Sequence, residues 1–288
     1  MKINLPVTGR NLDIAQDANI LSTTDLGSSI TYANQDFIDV SGYSREELLG
    51  APHNLLRHPD MPSAAFAHMW QTLKSGRSWM GMVKNRCKNG DHYWVSAYAS
   101  PVTRDGATVE YQSVRTRPDA RRVMAAERVY ARLRTGTRRM RPVLEMPLKL
   151  SLVTGATCAL TWGAGVGLAS YPWAVQVLGL AAVGAVGILG VNLLLRPLRQ
   201  LSERARQIAD NPVSQAIYTG RADELGQIEF AMQMLEAQAG AVVGRIGDAS
   251  QRLSGHAAAL VQQLDCSHTS TLGQQSQTDQ VATAIQQM

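Results

Sequence analysis

A chain of 288 residues with a formal net charge of +5 has room for one globular domain and some further helical segments. Its three cysteines, Cys87, Cys158 and Cys266, lie far apart, form no metal or redox spacing and read as unpaired thiols. Residues 115–149 carry ten Arg and one Lys against three acids, yet no base-reading motif accompanies them, so nucleic acid is set aside and membrane lipid headgroups are the expected partner.

In chain order, Met1 to Thr8 lacks the apolar core of a signal peptide, and residues 1–18 are polar. Ile20 to Thr24 and Ser29 to Ala33 read as strands around the turn Asp25-Leu26-Gly27-Ser28. Asn34 can cap a helix from Gln35 to Val40, and Ser44 with Glu47 makes a capping box for a second short helix ended by Gly50. Residues 63–75 form a helix with Phe66, Met69, Trp70 and Leu73 on one face. Three strands follow, Trp79 to Cys87, His92 to Thr103 and Thr108 to Arg115, the first two joined at Asn89-Gly90. The order predicts an α+β domain over 19–117, a five-stranded antiparallel sheet with flanking short helices and a pocket between the layers.

After a basic linker (118–149), Leu150 to Leu195 contains no Asp, Glu, Lys, Arg or His over 46 residues. One bilayer crossing takes roughly 20 apolar residues, so this length, broken at Ser170-Tyr171-Pro172-Trp173, predicts a two-helix transmembrane hairpin, 150–170 and 173–195. Basic residues on both flanks, Arg138 and Arg139 before and Arg196 and Arg199 after, predict a multi-pass inner-membrane protein with both termini cytoplasmic. The small-residue ridge Gly155, Ala159, Gly163 and Gly167 suits close helix contact there. Next come Leu198, Leu201, Ala205 and Ile208 at helical spacing, a stop at Asn211-Pro212, a connector to Ala222, and a heptad seam from Leu225 to Leu260. That seam predicts a coiled coil and a homodimer. His256 sits on it without the neighbours of a phosphoacceptor, and no nucleophile–base pair or P-loop is present, so an enzyme is not expected.

The string Val40-Ser41-Gly42-Tyr43-Ser44-Arg45-Glu46-Glu47-Leu48-Leu49-Gly50 resembles a PAS domain. Pro52-His53-Asn54-Leu55-Leu56-Arg57-His58-Pro59-Asp60-Met61-Pro62 is more specific, as is Val83 to Val95. Together with Ser22-Thr23-Thr24-Asp25-Leu26 they resemble the aerotaxis receptors, FAD-containing members of the methyl-accepting chemotaxis proteins. Pro197 and Asp223-Glu224-Leu225-Gly226 match the HAMP pattern, which places a HAMP domain at 196–246 and the start of a signalling coiled coil at 247–288.

The resemblance implies a redox sensor for aerotaxis that holds FAD. The residues it ties to that cofactor are Arg57, His58, Asp60 and Trp79, with Asn34 and Asn85 as weaker carry-overs. The chemistry suits them: Arg57 and His58 offer cations to a pyrophosphate, Asp60 an acceptor for a ribose hydroxyl or for Arg57, Trp79 a flat face, Asn85 an amide for the polar edge of a flavin. The structural alternatives are a local Arg57–Asp60 ion pair, a turn cap at His58 and a core role for Trp79. At Asn54-Leu55-Leu56-Arg57 the cysteine of the light-sensing flavin domains is missing, which argues against a photoadduct. Haem would need an axial ligand such as His53, His58 or His68, whose spacing does not favour iron. A ligand-free PAS interaction module on a membrane scaffold is the other reading. In the family a later helical hairpin engages a kinase and its adaptor; since this sequence stops at Met288, those partners are expected only of a longer form.

Overall fold

The computed structural model describes residues 4–135, 146–166 and 172–286. It divides into two units, Met1–Ala239 and Gly240–Met288. In the first, β1 (Ile20–Thr24) and β2 (Ile30–Ala33) precede α1 (Gln35–Ser41), α2 (Arg45–Leu48), a 3-10 turn (His53–Leu56) and α3 (Ser63–Lys74). Strands β3 (Trp79–Arg86), β4 (His92–Arg104) and β5 (Ala107–Thr116) follow, and all pairings are antiparallel in the order β2-β1-β5-β4-β3. The helices α1 to α3 cover one face. Phe37, Leu48, Leu56 and Leu73 from that layer are buried, as are Ile20, Val95 and Tyr93 of the sheet.

All eight residues of β3 are buried, although β3 is an edge strand. An exposed edge leaves a row of carbonyls unpaired. Here three successive outward carbonyls are taken by three different segments. Asn211 Nδ2 donates to Met80 O at 3.3 Å, the Tyr130 hydroxyl to Met82 O at 2.7 Å, and the His58 amide to Lys84 O at 3.4 Å. Tyr130 belongs to α4 (Ala120–Arg134), a helix inside the stretch read as a linker, and its ring stacks on Trp94 with centroids 6.3 Å apart.

Beyond it lie α5 (Met146–Val166), α6 (Trp173–Leu194), α7 (Arg196–Ile208), α8 (Pro212–Thr219) and the long α9 (Glu224–Gln286). The expected transmembrane hairpin is corrected here. Among the described residues one helix is long and apolar enough to cross a membrane, over Val177–Leu194 at a mean hydropathy of 2.3. The apolar part of α5 is the shorter Leu150–Gly163. At 1.5 Å per residue that run extends about 21 Å, against roughly 30 Å of hydrocarbon, and Ser151, Thr154, Thr157 and Thr161 interrupt it. The multi-pass placement with both termini on one side falls with the hairpin. Arg138, Arg139, Gly167 and the break at Ser170-Tyr171 lie outside the described residues. Thr154 Cγ2 still faces α6, 2.9 Å from where a Cβ on Gly187 would stand, so α5 and α6 pack together through small residues.

Asn211-Pro212 starts a helix as well as stopping one. The Asn211 Oδ1 accepts the Ser214 amide at 3.1 Å and Pro212 takes the first position of α8, where no amide proton is needed. The connector read between Pro212 and Ala222 is therefore mostly helix. Its Tyr218 and Ile217 are buried, as are Phe230, Ala231 and Met234 of α9. In the second unit α9 continues as one helix whose seam residues Ile246, Leu253 and Leu260 are exposed.

Candidate functional site

The layer arrangement leaves a cleft between α3, the 3-10 turn and the inner sheet face. A cavity of about 290 Å³ is lined by Ser28, His53, Asn54, Arg57, Phe66 and Asn85, among others. His53, Phe66, Met69 and Trp70 also border an apolar recess of about 40 Å³ that reaches Trp79, Val83, Ala97 and Arg115. The strand register explains the set. Trp79 pairs with Ala99, Gly81 with Ala97, Val83 with Val95 and Asn85 with Tyr93, so alternate residues of β3 share the inner face with alternate residues of β4. The Trp79 indole lies along the strand over Gly81, so closely that a Cβ there would collide with the ring.

Three of the six expected residues meet at this cleft. Asn85 is 3% exposed, and its Nδ2 makes no well-formed hydrogen bond, the Tyr93 hydroxyl of the paired strand being its neighbour. Arg57 lies across the Phe66 ring at 4.3 Å, donates from Nη2 to Met61 O at 3.1 Å, and leaves Nε buried without a partner. Burial pushes its guanidinium below the ordinary arginine value. Trp79 Nε1 is likewise buried and unpaired. A buried donor left unmade costs about 1–3 kcal/mol, so the two on the lining of the larger cavity, Arg57 Nε and Asn85 Nδ2, point to acceptors from a bound group, with Trp79 Nε1 in the adjoining recess.

The other three residues serve the frame. His58 and Asp60 stand on the opposite face of the sheet. Asp60 is ion-paired to Lys84 at 2.8 Å and to Arg134 of α4 at 2.7 Å. Partial burial works to raise its carboxyl, but the Lys84 hydrogen bond and the Lys84 and Arg134 charges hold it below the usual carboxylate range. His58 accepts the Asp60 amide on Nδ1 at 3.1 Å and meets His92 edge-on at 5.4 Å. Burial, with Lys84 close by, pushes His58 down to about 4, so the ring is neutral. Asn34 caps α1 through the Phe37 amide at 3.1 Å and ties β1 through the Leu21 amide at 3.0 Å. Its Nδ2 donates to Asn19 O at 2.6 Å, so the side chain is spent on joining α1 to β1 and the segment before it.

One functional pair was missed from sequence. Arg115 of β5 is 3% exposed, and its guanidinium reaches Ser22 Oγ at 3.0 Å and His53 Nε2 at 2.7 Å. A guanidinium only donates, so His53 Nε2 carries the lone pair and Nδ1 the proton. Burial first, then the Arg115 charge, push His53 down to about 3, and burial pushes Arg115 down to about 10. The signal was a charged residue at a β5 position that pairs with Ile20 on one side and Ala97 on the other, both buried. With the His53 lone pair engaged by Arg115 and that of His58 by the Asp60 amide, neither is free for iron. Among the described residues no group of three His, Cys, Asp or Glu could hold a metal ion.

Residues 30–115 match the family described as PAS fold, and residues 189–235 match the HAMP domain. The chain is 38% identical over 239 residues to the aerotaxis receptor of Escherichia coli K12, across 76% of this chain and 46% of that one. This is a PAS–HAMP domain protein, distantly related to that receptor. It spans under half the receptor's length. The PAS region is also 33% identical over 98 residues to a nitrogen fixation regulatory protein of Klebsiella pneumoniae, across 34% of this chain and 20% of that one. Among solved structures, the dark state of the blue-light photoreceptor Aureochrome1 LOV is 18% identical at a TM-score of 0.35, covering 41% of this chain and 86% of that one. PAS and HAMP domains are non-catalytic signalling modules, and their pairing here makes a sensor joined to a signal relay.

Proposed function

We propose that this PAS–HAMP protein is a redox sensor for aerotaxis that holds FAD in the PAS cleft. The observation that carries the reading is the pair of orphaned donors, Arg57 Nε and Asn85 Nδ2, on the lining of one cavity. The donor set fits the cofactor. Arg57 supplies a cation for a pyrophosphate, Asn85 an amide for the carbonyl-rich edge of a flavin, and Trp79 with Phe66 flat apolar surface. When bound, such a cofactor supplies reversible electron uptake. The chain's own residues hold it, exclude water and keep His53 neutral beside Arg115.

The relay is the contact of α4 and α8 with the edge of the sheet. A change at Trp79 or Asn85 moves β3, and β3 is bonded through Met80 to Asn211 at the start of α8. HAMP then passes the change into α9 by a shift between two packings. A second copy pairs along the α9 seam. A ligand-free PAS interaction module is the second reading, favoured by the small recess of about 40 Å³ beneath Trp79. Absorbance of the purified full chain near about 450 nm tests the choice, since oxidised flavins absorb there. A flavin-free chain with an intact fold supports the interaction module.

A further inference from the structure

The wall of the cleft is held from outside by the N-terminal segment. Asn4 is 7% exposed, and its Nδ2 lies 2.8 Å from Asn54 O, 3.0 Å from Leu55 O and 3.0 Å from Arg57 O. These carbonyls close the 3-10 turn, where Asn54 O also accepts the Arg57 amide at 3.2 Å and a short helix offers few further amides. Three carbonyl acceptors around one atom also fix which end of the Asn4 amide faces the turn.

The chain beyond Asn4 is fastened along the β3–β4 hairpin. Arg86 Nε donates to Pro6 O at 2.9 Å, the Thr8 amide to Gly90 O at 2.9 Å, and the Leu12 amide to His92 O at 2.7 Å. Gly90 is needed for this approach, because a Cβ there would stand 2.9 Å from Pro6 O. Residues 4–12 therefore form a strap from the hairpin to the 3-10 turn. The side chains of His53, Asn54 and Arg57 on that turn line the cleft. Arg57 reaches the cavity from the residue whose carbonyl Asn4 holds.

We infer that Asn4 is a positioning residue for the cofactor and that the strap sets how long a flavin stays bound. This rests on the flavin reading of the cleft. Release of a ligand gripped by Arg57 requires the turn to move. The turn moves by local opening, and the strap raises the cost of that opening without touching the ligand. Asn4→Ala removes the donor and Asn4→Asp keeps the shape while turning the donor into an acceptor, so both free the turn.

The test uses the purified full chain with its flavin. Flavin release is followed by fluorescence after dilution into apoflavodoxin, which traps what leaves. Asn4→Ala and Asn4→Asp are expected to speed release at least tenfold, with the melting midpoint of the flavin-stripped protein unchanged within two degrees. Lys88→Ala is the control, since Lys88 pairs with Glu47 from an exposed position outside the strap and does not touch the turn. It is expected to change release less than twofold. Amide exchange at Leu55 and Arg57 should rise with the Asn4 variants alone. Flavin present with release unchanged in both variants overturns the strap and leaves the flavin reading standing. An unmodified chain that binds no flavin overturns both. Equal drops in melting midpoint and retention reduce Asn4 to a fold residue and overturn its positioning role.

Discussion

The Tyr218 hydroxyl lies 2.6 Å from the Ser96 hydroxyl, joining α8 to β4 across 122 residues of sequence. Burial pushes the Tyr218 phenol up to about 12, so it stays protonated and one of the two hydroxyls donates to the other. The Arg122 guanidinium covers the same ring at 5.0 Å. Thus α4, α8 and the sheet meet at one tyrosine. Tyr218→Phe keeps the ring and removes the bond, which is expected to weaken this docking by about 0.5–1.5 kcal/mol. Faster amide exchange in α8, with the sheet itself unchanged, is the measurement that checks it.

Arg57 and Asn85 should decide cofactor loading. Arg57→Ala removes the only cation among the residues that line the larger cavity and is expected to leave the purified chain with less than a tenth of its flavin. Asn85→Leu removes an orphaned donor and should cut loading less, while changing the visible absorption of what remains. Flavin per folded chain reads both. Full loading in folded Arg57→Ala would refute the assignment.

Asp60→Asn should leave flavin content unchanged, in contrast to the role that sequence alone gave it. Asp60 spends its carboxylate on Lys84 and on Arg134 at the end of α4. Arg134 is exposed but Lys84 is buried, so losing the carboxylate strands a buried ammonium and should cost about 1–3 kcal/mol. The expected effect is local: exchange rises in the last turn of α4. A flavin-free Asp60→Asn would return Asp60 to the cofactor site.

Stability should fall with acid through two buried histidines. His53 and His58 have folded values of about 3 and about 4, below the ordinary 6.5. Between those values and 6.5 the unfolded chain binds more protons than the folded one. Stability therefore rises with pH across that window, is full above about 6.5, and declines as pH drops toward 4. Asp60 acts in the same direction at lower pH, since its depressed carboxyl stabilises the fold only while ionised. Urea midpoints from pH 7 to 4 test this, and His53→Gln should flatten the slope.

Much of the sheet was legible because alternation and turn chemistry are local. Ser44 and Glu47 do form the capping box, with bonds of 3.3 and 2.9 Å. The site was harder because a sequence block is not a spatial one. Arg57 has extended backbone angles, φ −71 and ψ 123, and neighbouring residues in extended chain point to opposite faces. Arg57 therefore enters the cleft while His58 turns away to the far side, carrying Asp60 with it. Helix α4 was hidden because its buried positions, Ala126 and Tyr130, are few among arginines. Freedom from charge is not apolarity, and threonines and glycines lower the hydropathy of α5 below that of a second membrane helix.

The α9 seam should be the contact between two copies of the chain. Ile246 is 64% exposed and Leu253 72% exposed, at heptad spacing on one long helix. Aliphatic residues at that repeat stabilise a helix pair by burying one another. Replacing both by Asp sets like charges against each other on the seam, where an unpaired buried charge costs several kcal/mol. Disulfide cross-linking through single cysteines at Ala249, in chains whose native cysteines are changed to Ser, is expected to be strong in the parent and at least fivefold weaker in the double mutant. Ala249 lies between the two sites on the same seam, so it reports the pairing without altering charge. Unchanged cross-linking in a helical double mutant would remove the seam as the contact, and a monomeric parent at micromolar concentration would remove the dimer.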